Sequence, residues 1–194
     1  MGRPSLAEVR KSEILDAFAH CVARYGLEGS SLERVADQAG VKRSIIRHYI
    51  GNREDLVDAL AERVAAQFQD HLASFVAGVS EQRRIKQLLD FLFPALPIES
   101  ADSILVVEAL IAAGDRYPKP RTLMLGYVEH LVDEITDQLR LAYPEATRPR
   151  CWNVAYGVVG ICFNQESLSP LGLPKAYIKA SRKCSEILIA SLDG

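Results

Sequence analysis

A cluster of positive charge lies between Gln38 and Arg53. This sixteen-residue window contains no Asp or Glu, yet it carries Lys42, Arg43, Arg47, His48 and Arg53. The whole chain has a formal net charge of −2, which excludes a uniformly basic surface and makes the positive charge a local feature. Arginine and lysine pair with phosphates and donate hydrogen bonds to base edges. The window is therefore suited to nucleic-acid recognition.

Helices must position these side chains, because a 3.6-residue period dominates the chain and Pro and Gly separate the periodic segments. The sequence predicts an all-α fold of about nine helices. The first is expected from about Leu6 or Arg10 to Tyr25. The longer helices that follow the basic window are predicted at about Arg53–Gly78, Glu81–Leu96, Glu99–Asp115, Pro120–Tyr143, Thr147–Leu168 and Pro174–Leu192.

Two short helices frame the basic window. One is predicted to begin at a capping box formed by Ser30 and Glu33 and to close at Gly40. The other covers about residues 42–49 and ends before Asn52, which is expected to cap the long fourth helix. Two short helices joined by a tight turn that contains Gly indicate a helix-turn-helix.

The apolar residues of this pair are expected to form a small core of Val35, Ala36, Ala39, Val41, Ile46 and Ile50. That leaves Arg43, Ser44, Arg47 and His48 facing outward. A solvated surface helix of an ordinary α-protein is the alternative. The short helix, the Ala-Gly-Val turn, the acid-free window and the capped following helix all occur in register, which favours DNA binding.

The stretch "SLERVADQAGVKRSIIRHYIGNREDL" resembles the DNA-binding head of TetR-type transcriptional regulators. That head reads roughly Thr-x-x-x-Ile-Ala-x-x-Ala-Gly-Val-Ser-x-Gly-Thr-Leu-Tyr-x-Tyr-Phe-x-x-Lys-Glu-x-Leu. The resemblance runs from Ile14 to Leu60, and its spacing holds without a gap from Ser31 to Leu56. It implies a helix-turn-helix DNA-binding domain at residues 1–52 and a helical effector-binding and dimerisation domain at residues 53–194.

The resemblance also implies individual roles. Ser31 stands at the Thr that caps the second helix and contacts a phosphate, and Arg53 stands at a phosphate-contacting Lys. Arg47 replaces an aromatic residue, so the operator sequence is not transferable. The full DNA-binding set implied is Ser31, Lys42, Arg43, Ser44, Ile45, Arg47, His48, Tyr49 and Arg53.

The second domain is expected to form a homodimer, because two heads spaced by a turn of DNA, or a multiple of it, recognise a palindrome. The last two helices are predicted to build a four-helix bundle with those of the partner. The candidate interface residues are Trp152, Val159, Ile178, Ile187 and Leu188.

An effector pocket is predicted in the same domain, since the resemblance implies a small ligand. The candidates are Phe75, Phe93, Glu108, Met124, Tyr127, Asn153 and Tyr156. Plain core packing is the alternative for each aromatic residue. Glu108 interrupts an apolar run, where a buried carboxylate needs a cationic partner, a proton, solvent or a ligand. Few formal charges line these helices, so the effector is expected to be mostly apolar, and its identity is left open.

Enzymatic chemistry is not expected, because the sequence lacks a nucleophile–base pair, a metal-ligand set and a phosphate-binding Gly loop. No cofactor or metal is predicted. The four cysteines favour buried reduced thiols over a redox switch. No signal-peptide core or membrane-length apolar run is present, which favours a soluble cytoplasmic protein without a membrane partner. The predicted function is a ligand-released repressor; an effector-independent architectural DNA-binding dimer is the alternative.

Overall fold

The structure is a computed structural model that describes residues 5–94 and 101–193. Within these ranges the chain forms nine α-helices and no strand, which confirms the predicted all-α class. The helices are α1 (Leu6–Gly29), α2 (Leu32–Ala39), α3 (Arg43–Tyr49), α4 (Arg53–Gly78), α5 (Arg84–Leu92), α6 (Ala101–Ala112), α7 (Pro118–Ala142), α8 (Arg148–Leu168) and α9 (Lys175–Ala190).

The described residues divide into two compact units. Unit 1 contains residues 5–67 and 101–125, and unit 2 contains residues 68–94 and 126–193. Helices α4 and α7 each contribute residues to both units. The predicted head, residues 1–52, is therefore a part of unit 1, which also includes the beginning of α4 and the whole of α6.

Helix α1 is the longest element of the head and packs against α2, α3 and α6. It contributes Ile14 and Phe18 to the interior, both without solvent exposure. Gly26 interrupts the helix with φ 69° and ψ 170°, a conformation that glycine adopts without a steric penalty. The predicted end of the regular helix at Tyr25 is thereby confirmed.

The predicted capping box of Ser30 and Glu33 is wrong. Ser30 is buried, and its hydroxyl donates to the carbonyl of Gly26 at 2.7 Å. Ser31 is the N-cap of α2, and its hydroxyl accepts a hydrogen bond from the backbone N–H of Arg34 at 3.3 Å. The helix is interrupted at Gly26, so the Gly26 carbonyl needs a new donor. The Ser30 hydroxyl supplies it, and Ser31 is left to cap α2.

The other predicted cap is confirmed. The side-chain oxygen of Asn52 accepts hydrogen bonds from the N–H groups of Glu54 and Asp55, at 2.7 and 3.2 Å. The Asp55 carboxylate accepts in return from the N–H of Asn52 at 2.8 Å. The first turn of α4 is fixed by these three bonds, and α4 has the predicted bounds.

Prolines set two boundaries that the sequence analysis misplaced. Helix α5 ends at Leu92, because Phe93 precedes Pro94 and a residue before proline avoids the helical conformation. The predicted extension to Leu96 and the predicted start at Glu99 lie outside the described residues. Helix α7 begins at Pro118 rather than Pro120, since proline is tolerated in the first turn of a helix, where its missing N–H is not needed.

Unit 2 has its own hydrophobic core between α5, α7, α8 and α9. Its largest fully buried side chains include Leu88, Leu131, Ile135, Leu139 and Ile189. Full burial of one such side chain stabilises the fold by about 1.5–3 kcal/mol. Helices α8 and α9 pack against each other.

Helices α8 and α9 also expose apolar side chains on their outer surfaces. Trp152 and Tyr156 stand one turn apart on α8 with their rings stacked at 5.5 Å, and Tyr156 is 59% exposed. On α9, Tyr177 and Ile187 are each 61% exposed. We call these four residues the α8–α9 stripes; Ile178 is 37% exposed but lies on the opposite side of α9 from Ile187.

Candidate nucleic-acid interface

The interface is built on the turn between α2 and α3. Gly40 ends α2 in the left-handed conformation with φ 64°, which an L-residue with a side chain rarely adopts. The next N–H, that of Val41, donates to the carbonyl of Ala36 at 3.0 Å and closes the turn. Val35 and Ile46 are fully buried, one from each helix. Of the predicted helix-turn-helix core, Val35, Ala36 and Ile46 are buried, whereas Ala39, Val41 and Ile50 are half-buried.

The outer face of α3 is polar and cationic. Arg43 and Arg47 are exposed and stand four residues apart, so they lie on one side of the helix, as do the exposed Ser44 and His48. Lys42 is the exposed N-cap residue. Ile45 and Tyr49 are half-buried, and the Tyr49 ring meets the His48 ring edge to face at 4.9 Å.

The cations of α3 are not neutralised by the protein. In the part of the chain that the structure describes, Lys42, Arg43 and Arg47 form no ion pair with a carboxylate. Their donors therefore point into solvent with their hydrogen-bonding capacity unused. Such a face can bind an anionic, acceptor-rich surface, which is what the major groove and the phosphates of DNA present.

Ser31 and Arg53, the two residues predicted to contact phosphates, lie in different surroundings. Ser31 is exposed, and its hydroxyl oxygen accepts the capping bond while its hydrogen is free to donate. The Arg53 side chain is only 30% exposed. Its guanidinium donates to the carbonyl of Ser30 at 2.7 Å and to that of Leu27.

Arg34 is a residue that the sequence analysis missed. Its guanidinium lies 4.7 Å from the centre of the Tyr25 ring and donates to the carbonyl of Gly29. It therefore joins the first turn of α2 to the end of α1 by a cation–π contact and a hydrogen bond. The sequence feature that could have identified Arg34 is its position three residues after the capping Ser31.

The predicted effector-pocket residues are distributed over both units. Glu108 is half-buried and Met124 is buried in unit 1. The other five belong to unit 2. Of these, Phe93 is a core residue, Phe75 and Tyr127 are half-buried, and Asn153 and Tyr156 are exposed on α8. The predicted set is therefore not one enclosed cluster, and the pocket stays a prediction.

Half-buried aromatic rings do meet in unit 2. The Tyr127 ring stacks on Phe68 at 4.2 Å between centroids and lies 6.3 Å from Phe163. Phe75 stacks on Phe91 at 4.4 Å. These ring pairings depend on packing between helices, which a pattern along the sequence does not report.

The predicted dimer residues fall into two groups. Trp152 and Ile187 are exposed members of the α8–α9 stripes, whereas Ile178 is exposed on the other side of α9 and Leu188 is half-buried against the core of unit 2. Val159 is 2% exposed and belongs to that core. Its assignment to an interface is corrected here, because its side chain is already buried within its own chain.

The cysteines and the remaining surface offer little other chemistry. Cys21, Cys151 and Cys162 are buried and Cys184 is exposed, all as free thiols. Burial raises the pKa of each of the three buried thiols.

Within residues 5–94 and 101–193, no group of three or more His, Cys, Asp or Glu side chains could hold a metal ion. No helix in these ranges is long and apolar enough to span a membrane.

Residues 14–60 match the family model for bacterial regulatory proteins of the tetR family. The HTH-type transcriptional regulator BetI of Paraburkholderia phytofirmans is 31% identical over 64 residues, which are 33% of this chain and 33% of that protein. A TetR transcription regulator from Haloarcula marismortui superposes with a TM-score of 0.79 at 15% identity, covering 95% of this chain and 98% of that one. Residues 14–60 therefore belong to the tetR family of bacterial regulatory proteins.

A transcriptional regulator from Saccharomonospora viridis in complex with choline also has a similar fold. It superposes with a TM-score of 0.76 at 16% identity and covers 94% of this chain and 96% of that one. The chain spans about a third to a half of the length of the BetI relatives that it matches in sequence. The sequence match therefore concerns the TetR head, and the structural matches extend the fold to the second domain.

Proposed function

We propose that this TetR-family protein is a cytoplasmic, non-enzymatic repressor that inserts α3 into the major groove of a palindromic operator. The observation that carries the proposal is the exposed face of α3, where Lys42, Arg43 and Arg47 have no carboxylate partner among residues 5–94 and 101–193. Selection of bound sequences from random duplex DNA with the purified protein tests it. A selected palindrome supports the proposal, and recovery of no preferred sequence contradicts it.

Replacing Arg43 with alanine is expected to weaken operator binding by about 1–3 kcal/mol and to relax discrimination at one base position. Arg43 is the first residue of α3 and is exposed, so its guanidinium can reach a base edge. The measurement is binding to the selected operator and to its single-base variants. Arg140→Ala removes the same charge from an exposed position of α7 and is the control. Equal behaviour of the two variants contradicts direct readout by Arg43.

A homodimer through the α8–α9 stripes is the second part of the proposal. Single exposed apolar residues are ordinary, but stacked aromatic rings with further exposed apolar residues on the neighbouring helix are typical of interaction surfaces. Tyr and Trp are also enriched in protein interfaces. A two-fold dimer of this kind places two α3 helices on the two half-sites of a palindrome.

Release of the operator by a small, mostly apolar effector is the third part. The half-buried rings of Phe68, Tyr127 and Phe163 support a site in unit 2, and the choline complex of a structural neighbour supports small-molecule binding by this fold. Helix α4 is the proposed route of coupling, because it runs unbroken from Arg53 in unit 1 to Gly78 in unit 2.

An effector is expected to raise the melting temperature of the protein and to weaken operator binding about 5- to 150-fold. The effect requires that the ligand binds the released state better than the DNA-bound state. The test is a thermal-shift screen of a broad metabolite set that starts with choline, followed by operator titrations with each stabilising compound. If no compound stabilises the protein, or none changes operator affinity, the effector-independent DNA-binding dimer is the better description.

A further inference from the structure

The turn between α1 and α2 is held by side chains at every carbonyl from Gly26 to Ser30 except that of Glu28. Ser30 donates to the carbonyl of Gly26, and Arg34 donates to that of Gly29. Arg53 donates to two more, those of Leu27 and Ser30. The carbonyls of Leu27 and Gly29 also accept from the backbone N–H groups of Ser30 and Ser31, at 3.3 and 3.2 Å, so the side-chain donors reinforce the backbone bonds of this turn.

Arg53 is the only one of these donors that comes from beyond the helix-turn-helix in sequence. It is the first residue of α4, and its two terminal nitrogens each reach a different carbonyl. A carboxylate oxygen of Glu28 lies 4.0 Å away and adds a favourable charge. A guanidinium can bridge two acceptors because its donors form a fixed, planar fork, which a lysine ammonium cannot reproduce.

The α1–α2 turn that Arg53 bridges fixes the position of Ser31, where the helix-turn-helix begins. Ser31 follows directly and caps α2, and the buried Val35 and Ile46 pack α2 and α3 together. We propose that Arg53 is a positioning residue that locks the α1–α2 turn to the start of α4 and so sets the orientation of α2 and α3, instead of contacting a phosphate. The effect of the orientation of α2 and α3 on DNA binding rests on the proposed function.

A measurement without DNA tests whether Arg53 holds the α1–α2 turn in place. In Arg53→Lys, which keeps the charge, amide hydrogen exchange in residues 27–39 is expected to be about tenfold faster than in wild type. Arg116→Ala is the matched control, because Arg116 also pairs with Glu28 but is 63% exposed and bonds none of these carbonyls. Exposed ion pairs contribute little, so this variant is expected to exchange like wild type. Wild-type exchange in Arg53→Lys overturns the proposal.

A DNA measurement separates positioning from charge. Arg53→Lys and Arg53→Ala are both expected to reduce the preference for the selected operator over scrambled duplex about tenfold, with the salt dependence of binding unchanged. A phosphate contact predicts a different pattern. Arg53→Lys then binds like wild type, while Arg53→Ala weakens all sequences equally and lowers the salt slope by about one unit. That pattern overturns the proposal.

Two further outcomes are also decisive. If both Arg53 variants lower the melting temperature but keep the full operator preference at a temperature where they are folded, the residue acts on stability alone and the positioning role is overturned. If wild type selects no sequence, the proposed function fails. The exchange experiment still decides whether Arg53 locks the turn.

Discussion

Replacing Tyr156 and Ile187 together with glutamate is expected to produce a folded monomer that binds the operator about 100-fold more weakly or worse. Both side chains are more than half exposed, so the substitutions leave the core of the chain intact. In the proposed dimer the four new carboxylates lie in a desolvated interface, where they repel one another and lack partners. Losing the dimer removes the gain from binding two half-sites at once.

The measurement is light scattering coupled to size exclusion at micromolar concentration, followed by operator titration. Gln69→Glu with Ala73→Glu, at exposed positions of α4, adds the same charge outside the stripes and is expected to stay dimeric. Circular dichroism checks that both double variants are helical. A dimeric Tyr156→Glu, Ile187→Glu protein with wild-type operator affinity would falsify the interface. A monomeric wild-type protein contradicts the dimer altogether.

Val159→Asp is expected to unfold unit 2 rather than to separate subunits. Val159 is 2% exposed among the apolar residues of the unit 2 core, so the new carboxylate would be buried without a partner. We expect a loss of about 4 kcal/mol or more, a large part of the total stability of a typical domain. Urea unfolding followed by circular dichroism measures the loss.

Asn164→Asp is the control for this substitution, because it adds the same charge at an exposed position of the same helix. It is expected to change the free energy of unfolding by less than about 0.5 kcal/mol. A Val159→Asp protein that is monomeric but unfolds at the wild-type urea concentration contradicts the core assignment. It would restore the sequence-based prediction that Val159 faces a partner.

The head was predictable because its determinants are local. Asn52 and Asp55 cap each other three residues apart, and Gly40 alone supplies the backbone conformation that the α2–α3 turn requires. Arg43, Arg47 and His48 lie with the buried Ile46 on one seven-residue helix. Each of these signals is contained within a few consecutive residues, so a pattern in the sequence reports it directly.

The second domain was less predictable for a physical reason. Helix α8 is apolar on most sides, so its periodicity does not show that Val159 faces the core while Tyr156 faces outward.

The contacts of Arg53 could not be predicted from the sequence for another reason. Its carbonyl partners are 23 and 26 residues away in sequence, and the lysine expected from the family pattern suggested a phosphate instead.

The packing of α3 has a consequence for how such a regulator diversifies. Ile46 is its one fully buried side chain, whereas Arg43, Ser44, Arg47 and His48 are exposed and contribute little to the core. Substitutions at exposed positions usually change folding free energy by less than about 0.5 kcal/mol. Under the proposed function, a duplicated copy can therefore acquire a new operator by mutations at these four positions, while the fold is inherited unchanged.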